Sequence, residues 1–427
     1  MKKIIHISLI VSSLVSVSFA GVAQENRERL HSVKKAIASV HEVEKKELDI
    51  VDGFSHMFRD GKVTGQVRSL YSDISYETAQ DVYATAVGGF LKYELAEYKG
   101  FNAGVEFVTT HDIDALSGEG IKRNSVLSST ATSYTQMSES YINYQYKGFN
   151  FRGGRQTIDT PLADSDDIRM VSNSFEAYIA TYKLSELTFM AGILLSWQGN
   201  DAGLDTPWQK TGKDGTYFGG LRLNNENVDA SIWYYTINGE LGDVTASNSY
   251  YADIVGHFHL SKKLFLHLGA QYLKQDELDK SGVAANIFGF TSELVIDGIG
   301  FNIAYNKSLK ESNKQSFAGY GGGILFTNMD NMIIDNVAVD RDVDAIVAGI
   351  SYEYMEDLNF LYAYGDFNGG ADSSGVKEHI VEQNIGATYG HNDFVFGVIY
   401  TLQEDKEDTN INGGDWSNAR VLLSYNF

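Results

Sequence analysis

Ala419-Arg-Val-Leu-Leu-Ser-Tyr-Asn-Phe427 decides how the rest of the chain is read. With a period of two, Ala419, Val421, Leu423, Tyr425 and Phe427 fall on one face. Arg420, Leu422, Ser424 and Asn426 fall on the other. One apolar and one mostly polar face suit a wall between lipid and water. The rings of Tyr425 and Phe427 would sit at a membrane interface, where amphipathic aromatics are favoured. An amphipathic edge strand of a soluble sheet is the competing reading, and the remaining sequence must choose.

Composition narrows the choice. In 427 residues there are two prolines, Pro161 and Pro207, and both fall outside every expected strand, as continuous ladder requires. The 42 Gly, 26 Tyr and 23 Phe suit turns, tight packing and aromatic girdles. Cysteine is absent, which excludes thiolate metal sites and Cys catalysis. A formal net charge of −22 makes nucleic acid a poor partner, since that affinity rests on Lys and Arg. A strongly acidic surface can instead hold divalent cations or concentrate cationic solutes.

The N-terminus reads as three segments. Lys2-Lys3, the apolar run Ile4 to Phe19 and the small-residue site Ser18-Phe-Ala20 make 1–20 a signal peptide, with Gly21-Val-Ala23 as a second cleavage site. Residues 21–50 form a short amphipathic helix or tether on the periplasmic side, from the stripe Leu30, Val33, Ile37 and Val40. From 51 to 427 period two takes over. No later stretch has the length of apolar sequence that a membrane helix needs, so a membrane-spanning form would be a barrel.

About eighteen strands are expected, an even number. Their connections alternate. Tight turns at Tyr98-Lys99, Lys147-Gly148, Ser185-Glu186, Ser261-Lys262 and His391-Asn392 alternate with long polar ones, among them 113–137, 159–172, 199–214 and 310–342. Short turns at one end and long loops at the other mark an up-and-down transmembrane β-barrel, and a soluble sandwich has no reason to segregate them. In one hairpin, a turn at Ser261-Lys262-Lys263 sets Leu260 opposite Leu264 and Phe258 opposite Leu266, facing lipid. The same register sets His257 against His267 in the lumen, with His259 beside them. Strand 416–427 closes the ring against 62–74.

At Phe151-Arg-Gly-Gly-Arg-Gln-Thr-Ile-Asp-Thr-Pro161, then Asp164-Ser-Asp-Asp-Ile-Arg-Met170 and Phe175-Glu-Ala177, the sequence resembles the Opr (OprD-like) family of outer-membrane porins. Asp60-Gly-Lys-Val-Thr-Gly-Gln-Val-Arg68 is similar to the family's first strand, and the terminal Phe427 to the signal read by the barrel-assembly machinery. The resemblance covers 50–427. It implies an eighteen-stranded barrel whose third and seventh loops, here 159–172 and 310–342, fold inward to narrow the channel. It implies passive diffusion of small solutes, small carboxylates or amino acids, along a ladder of arginines. Arg155, Gln156, Asp166 and Arg169 match the motif block, and Arg68 the first strand. Val171-Ser172-Asn173 stands where the family often has Pro, which affects the path of that loop.

Face parity separately turns Arg68, Arg152, Arg222 and Arg420 toward the lumen. A row of guanidiniums would attract a carboxylate and pass it down by exchange. The same arginines could equally pair with lumenal acids such as Glu176 and Glu382 and stiffen the wall. Arg155 breaks the parity of Arg152, so a bulge at Gly153-Gly154 or a place in the loop root is needed. Carboxylates at Asp164, Asp166 and Asp167, or at Asp340, Asp342 and Asp344 with Asp330 and Asp335 nearby, could hold Ca²⁺. His257, His259 and His267 could hold Zn²⁺ or Ni²⁺, although lumenal histidines usually just titrate. Gly319-Tyr-Gly-Gly-Gly323 lacks the Gly-Lys-Ser/Thr of a phosphate loop, and no hydrolase motif occurs, so an enzyme is not expected.

The expectation is a Gram-negative outer-membrane porin, exported through a cleaved signal peptide and requiring no cofactor. Its partners would be small hydrophilic solutes, outer-membrane lipid and lipopolysaccharide, the assembly machinery and, as one open arrangement, its own copies in a homo-trimer. A general, mildly cation-selective porin is the first alternative. A structural or adhesive barrel is the second.

Overall fold

In the computed structural model, residues 50–240, 243, 245–355 and 357–427 are described. The expected signal peptide at 1–20 and nearly all of the 21–50 tether lie outside them. Among the described residues a helix, α1 (Ile50–Arg59), precedes nineteen strands. The first nine are β1 (Lys62–Tyr76), β2 (Val82–Glu94), β3 (Phe101–Asp112), β4 (Ser133–Tyr146), β5 (Phe149–Gln156), β6 (Ser174–Leu184), β7 (Leu187–Gln198), β8 (Gln209–Lys210) and β9 (Thr216–Asn224). Then come β10 (Val228–Ile237), β11 (Ser247–Ser261), β12 (Leu264–Glu277), β13 (Ala285–Ile296) and β14 (Ile299–Ser308). A one-turn helix, α2 (Ile334–Val337), leads to β15 (Val343–Met355), β16 (Leu358–Gly369), β17 (Glu378–His391), β18 (Phe394–Asp405) and β19 (Trp416–Asn426).

Each barrel strand pairs antiparallel with the next. β7 pairs with β9, β8 is a two-residue ribbon on β7, and β19 pairs with β1 from Gln66↔Asn426 to Tyr76↔Trp416. The ring is therefore a closed antiparallel barrel of 18 strands, as the alternation of connections requires. No helix of the described residues is long and apolar enough to cross a membrane.

Alternation sorts side chains between lipid and lumen. On β19, Val421, Leu423 and Tyr425 are exposed while Asn418, Arg420, Leu422, Ser424 and Asn426 are buried. Phe427 continues the exposed face, its ring stacked on Tyr425 with centroids 6.3 Å apart. Its backbone pairs both ways with Gly65, at 2.9 and 3.0 Å. Apolar side chains laid on the outside of a sealed ladder are what a bilayer solvates.

Three local expectations change. β4 begins at Ser133 rather than 138, because Ser138 is a bulge: Glu106 pairs with Glu139 and Phe107 with Met137. The period of two breaks at that residue, so the strand's first turn of sequence reads as loop. In the β11–β12 hairpin His257 opposes His267 and Phe258 opposes Leu266, but Ser261 pairs with Leu264 and Leu260 is bulged out. α1 was not expected, since it lies between the tether and the first strand and is only ten residues long.

Candidate functional site

Two long connections, 157–173 (loop 3) and 309–342 (loop 7), enter the barrel and are tied to the closing seam. Arg68 of β1 and Arg420 of β19 stand on adjacent strands, with Arg68 opposite Ser424 and Ser72 opposite Arg420. Only 2% of Arg68 is exposed; its Nη1 donates to Asp167 Oδ1 of loop 3 at 2.8 Å and to the carbonyl of Arg169. Arg420, 6% exposed, donates to Asp330 Oδ1 of loop 7. The other oxygen, Asp330 Oδ2, accepts Thr401 Oγ1 at 2.8 Å and Asn331 Nδ2 at 2.7 Å. These arginines are therefore anchors with acid partners. The partners are loop carboxylates and not the wall acids Glu176 and Glu382.

Loop 7 is held by more than charge. Its Leu325, Phe326, Met329, Met332, Ile334 and Val337 are buried in one cluster with the inward residues Leu273, Ile287, Val347 and Phe367. Its backbone N–H groups find wall side chains: Thr327 donates to Asn306 Oδ1 at 3.1 Å and Asn331 to Glu382 Oε1 at 3.1 Å. A non-helical segment inside a barrel must satisfy its backbone this way.

Loop 3 is acidic. Asp166 N donates to Asp164 Oδ1 at 2.7 Å, and Asn173 Nδ2 to Asp201 Oδ2 of the next loop at 2.6 Å. Burial, reinforced by Asp159 and Asp201, pushes the Asp164 carboxyl up to about 7. Burial beside Asp201 pushes Asp166 well above the ordinary carboxylate range, against the lowering influence of Arg169. Arg169 Nη1 lies 3.7 Å from Asp201 Oδ1. The two loops also hold each other: Tyr320 N donates to Leu162 O at 3.0 Å, and Asp164 N to Tyr320 O at 2.9 Å. Here the glycine run 319–323 has its use. A Cβ on Gly319 would come within 2.9 Å of Leu162 Cα, and one on Gly321 would meet the carbonyl of Asp164; both glycines have positive φ.

The other expected lining residues are dispersed. Arg152 lies inward with its Cζ 4.1 Å from the Tyr141 ring centroid and its Nε 3.3 Å from Asn143 Oδ1. Gln156 is buried, donating to the carbonyls of Gly154 and Ala177, each at 3.2 Å. Arg222 is exposed and pairs in register with Ser231, away from the seam. β5 pairs with β4 and β6 without a register shift, so the bulge expected at Gly153-Gly154 is not there. Alternation then leaves Arg155 on the face of Phe151, with its guanidinium 4.3 Å over the ring of Trp208. Beneath loop 3 a cavity of about 230 Å³ is lined by Gln66, Arg68, Lys92, Glu106, Glu139 and Asp167, among others.

Among the described residues no group of three or more His, Asp or Glu side chains could hold a metal ion. The reasons are visible. His257 Nδ1 faces His267 Nδ1 at 2.7 Å and its Nε2 faces Asp229 at 3.0 Å, while His259 packs edge-on against Phe265. Asp167 is taken by Arg68. Asp340 accepts Asn313 N at 2.7 Å and Ser373 N and Oγ, which hold its carboxyl down at about 2. Asp342 accepts Lys310 N at 3.1 Å, and Asp344 pairs with Lys307 at 2.7 Å. Asp335 is buried on α2. Sequence spacing also missed Arg341, buried between Asp372 and Glu378 at 3.4 and 3.0 Å.

No family model matches the sequence, and no curated protein sequence matches it. Solved structures do match in shape. Acinetobacter baumannii OccAB4 superposes with a TM-score of 0.71 at 15% identity, over 86% of this chain and 98% of that one. Pseudomonas aeruginosa OpdK, solved with vanillate, gives 0.71 at 16% identity over 86% and 99%. Acinetobacter baumannii OccAB1 gives 0.72 at 14% identity over 86% and 96%. At such identity the likeness is one of fold, and the chain has the fold of the OprD-like outer-membrane porins that its 151–177 block resembles.

Proposed function

We propose that this chain is an outer-membrane porin of a Gram-negative cell, through which small hydrophilic solutes diffuse passively. The observation that carries the reading is the pair of inward loops, each fixed by a buried ion pair to the closing seam. A barrel serving only as an anchor or adhesin gains nothing from loops built into its lumen. Small carboxylates or amino acids are the favoured cargo. The cavity under loop 3 is lined by ion pairs, Arg68 with Asp167 and Lys92 with Glu139, with Glu106 also in the lining. A zwitterion would meet both signs of charge by exchanging with such pairs. The vanillate in the OpdK structure is a carboxylate and accords with this choice.

A second reading has its own support. Arg68, Arg420 and Arg169 each have an aspartate partner, so the arginine row is largely neutralised, and the chain's net charge is −22. A general, mildly cation-selective pore would follow. Purified barrel in planar bilayers separates these: stable single-channel steps are expected, and the reversal potential in a KCl gradient gives the sign of selectivity. Liposome swelling with small carboxylates, amino acids and neutral sugars of similar size then ranks the cargo. Absence of conductance from folded barrel would replace the porin reading with the structural one.

A further inference from the structure

α1 is too short to be stable in water by itself, so its partners matter. Seven of its residues fall on three faces. Gly53 and Met57 are buried; a Cβ at Gly53 would overlap the Tyr98 ring in the turn between β2 and β3. The last helical turn is fixed to the same hairpin, with Ala96 N donating to Met57 O at 3.0 Å and Tyr93 Oη to the carbonyl of Phe58. Asp52, Ser55 and Arg59 form a polar, exposed face. Between these lie Phe54 and Phe58, one turn apart, 56% and 60% exposed.

The position of that aromatic face identifies what covers it. Tyr93, to which the helix end is tied, pairs in register with Val63, a residue of the outward apolar face. The helix thus lies at the short-turn end of the barrel, where Phe101 is exposed just past the same turn and Phe427 closes the neighbouring seam. Phe54 and Phe58 are exposed at the same end as the outward aromatics Phe101 and Phe427, the end at which a membrane barrel presents an aromatic band to lipid. Aromatic side chains beside a polar face carrying Arg59 are the makeup of a helix lying in the plane of the interface.

We propose that α1 is an interfacial helix, with Phe54 and Phe58 inserted among the phospholipids of the leaflet on the short-turn side and Asp52, Ser55 and Arg59 turned to water. The inference rests on the barrel spanning a membrane and is independent of conductance. The chain contains no cysteine, so Phe54→Cys, Phe58→Cys and Ser55→Cys each give a unique site for a nitroxide label. In phosphatidylethanolamine/phosphatidylglycerol proteoliposomes, collision with a water-soluble nickel relaxant should fall several-fold at 54 and 58 relative to 55, while collision with oxygen rises. Nickel access at 58 equal to that at 55 places the helix in water and overturns the proposal. Labels shielded from both relaxants and broadened by one another would mean a second copy covers the face, which also overturns it. Conductance of the same vesicles is read separately, so a failed porin reading and a failed interfacial helix cannot be confused.

Discussion

Loops 3 and 7 both turn into the lumen, both bury apolar side chains in one cluster and both reach an arginine of the seam, yet they differ in what surrounds that arginine's partner. Loop 7 sits on an apolar cluster of its own side chains and the wall's, and its ion pair to the seam is sealed within. Loop 3 carries neighbouring carboxylates, a partly exposed Asp167 as its anchor, and a shared boundary with the loop after β7. Both loops belong to the barrel's core, loop 3 through Ile158, Leu162, Ala163, Met170 and Val171, but loop 3 adds a cluster of neighbouring carboxylates whose ionisation bears on its arrangement.

The most disruptive test of that contrast is Asp330→Asn. It leaves the Arg420 guanidinium buried without a counter-ion, which should cost about 3–5 kcal/mol. Thermal unfolding of the barrel in gels should move down, and single-channel conductance should rise as loop 7 loosens. An unchanged melting profile would mean the apolar cluster alone holds the loop. Asp167→Asn should do less, about 1–3 kcal/mol, because Arg68 keeps the Arg169 carbonyl and the site is nearer water. Faster hydrogen exchange confined to 157–173 is the expected reading, and loss of protection throughout the barrel would erase the distinction between the loops.

Acidity sharpens it further. Folded Asp164 holds its proton up to about 7 against an ordinary value of 3.8. A carboxyl raised in this way favours the ordered loop while protonated, so loop 3 should lose order as pH climbs from about 4 through 7. Intrinsic-rate-corrected exchange of 157–173 should rise over that window in the native chain and rise less in Asp164→Asn. The smallest effects concern selectivity. Arg169→Gln should shift the reversal potential toward cations by weakening the positive side of loop 3. Lys213→Gln, in an outer loop, should leave it unchanged because salt screens that charge. Equal responses from both would remove loop 3 from the narrow part of the channel.

How much of this was legible depends on range. The lipid and lumen faces of β19 follow from alternation within nine residues, and the sequence of short and long connections foretold the barrel and its closure. Parity alone turned Arg68 and Arg420 inward. What they hold could not be read, because Asp167 and Asp330 are about 90 residues or more away along the chain and have no local mark. Arg155 is a different case: the register runs through Gly153-Gly154 without the expected bulge, and its guanidinium lies over Trp208, which sequence alternation could not indicate. The glycine run 319–323 was visible as an oddity, but its purpose needs Leu162 and Asp164 beside it.

The seam arginines also tie two events together in time. β1 and β19 come from opposite ends of the described chain and meet only when the ring closes. Loop 7 precedes β19 in the chain, so its buried Asp330 has no cation until that strand docks. An open sheet with loop 7 tucked in would carry a buried carboxylate without its cation, a state several kcal/mol too high to accumulate. Closure of the wall and narrowing of the bore should thus occur as one cooperative step. A barrel stalled before its last pairing would be wide open as well as incomplete.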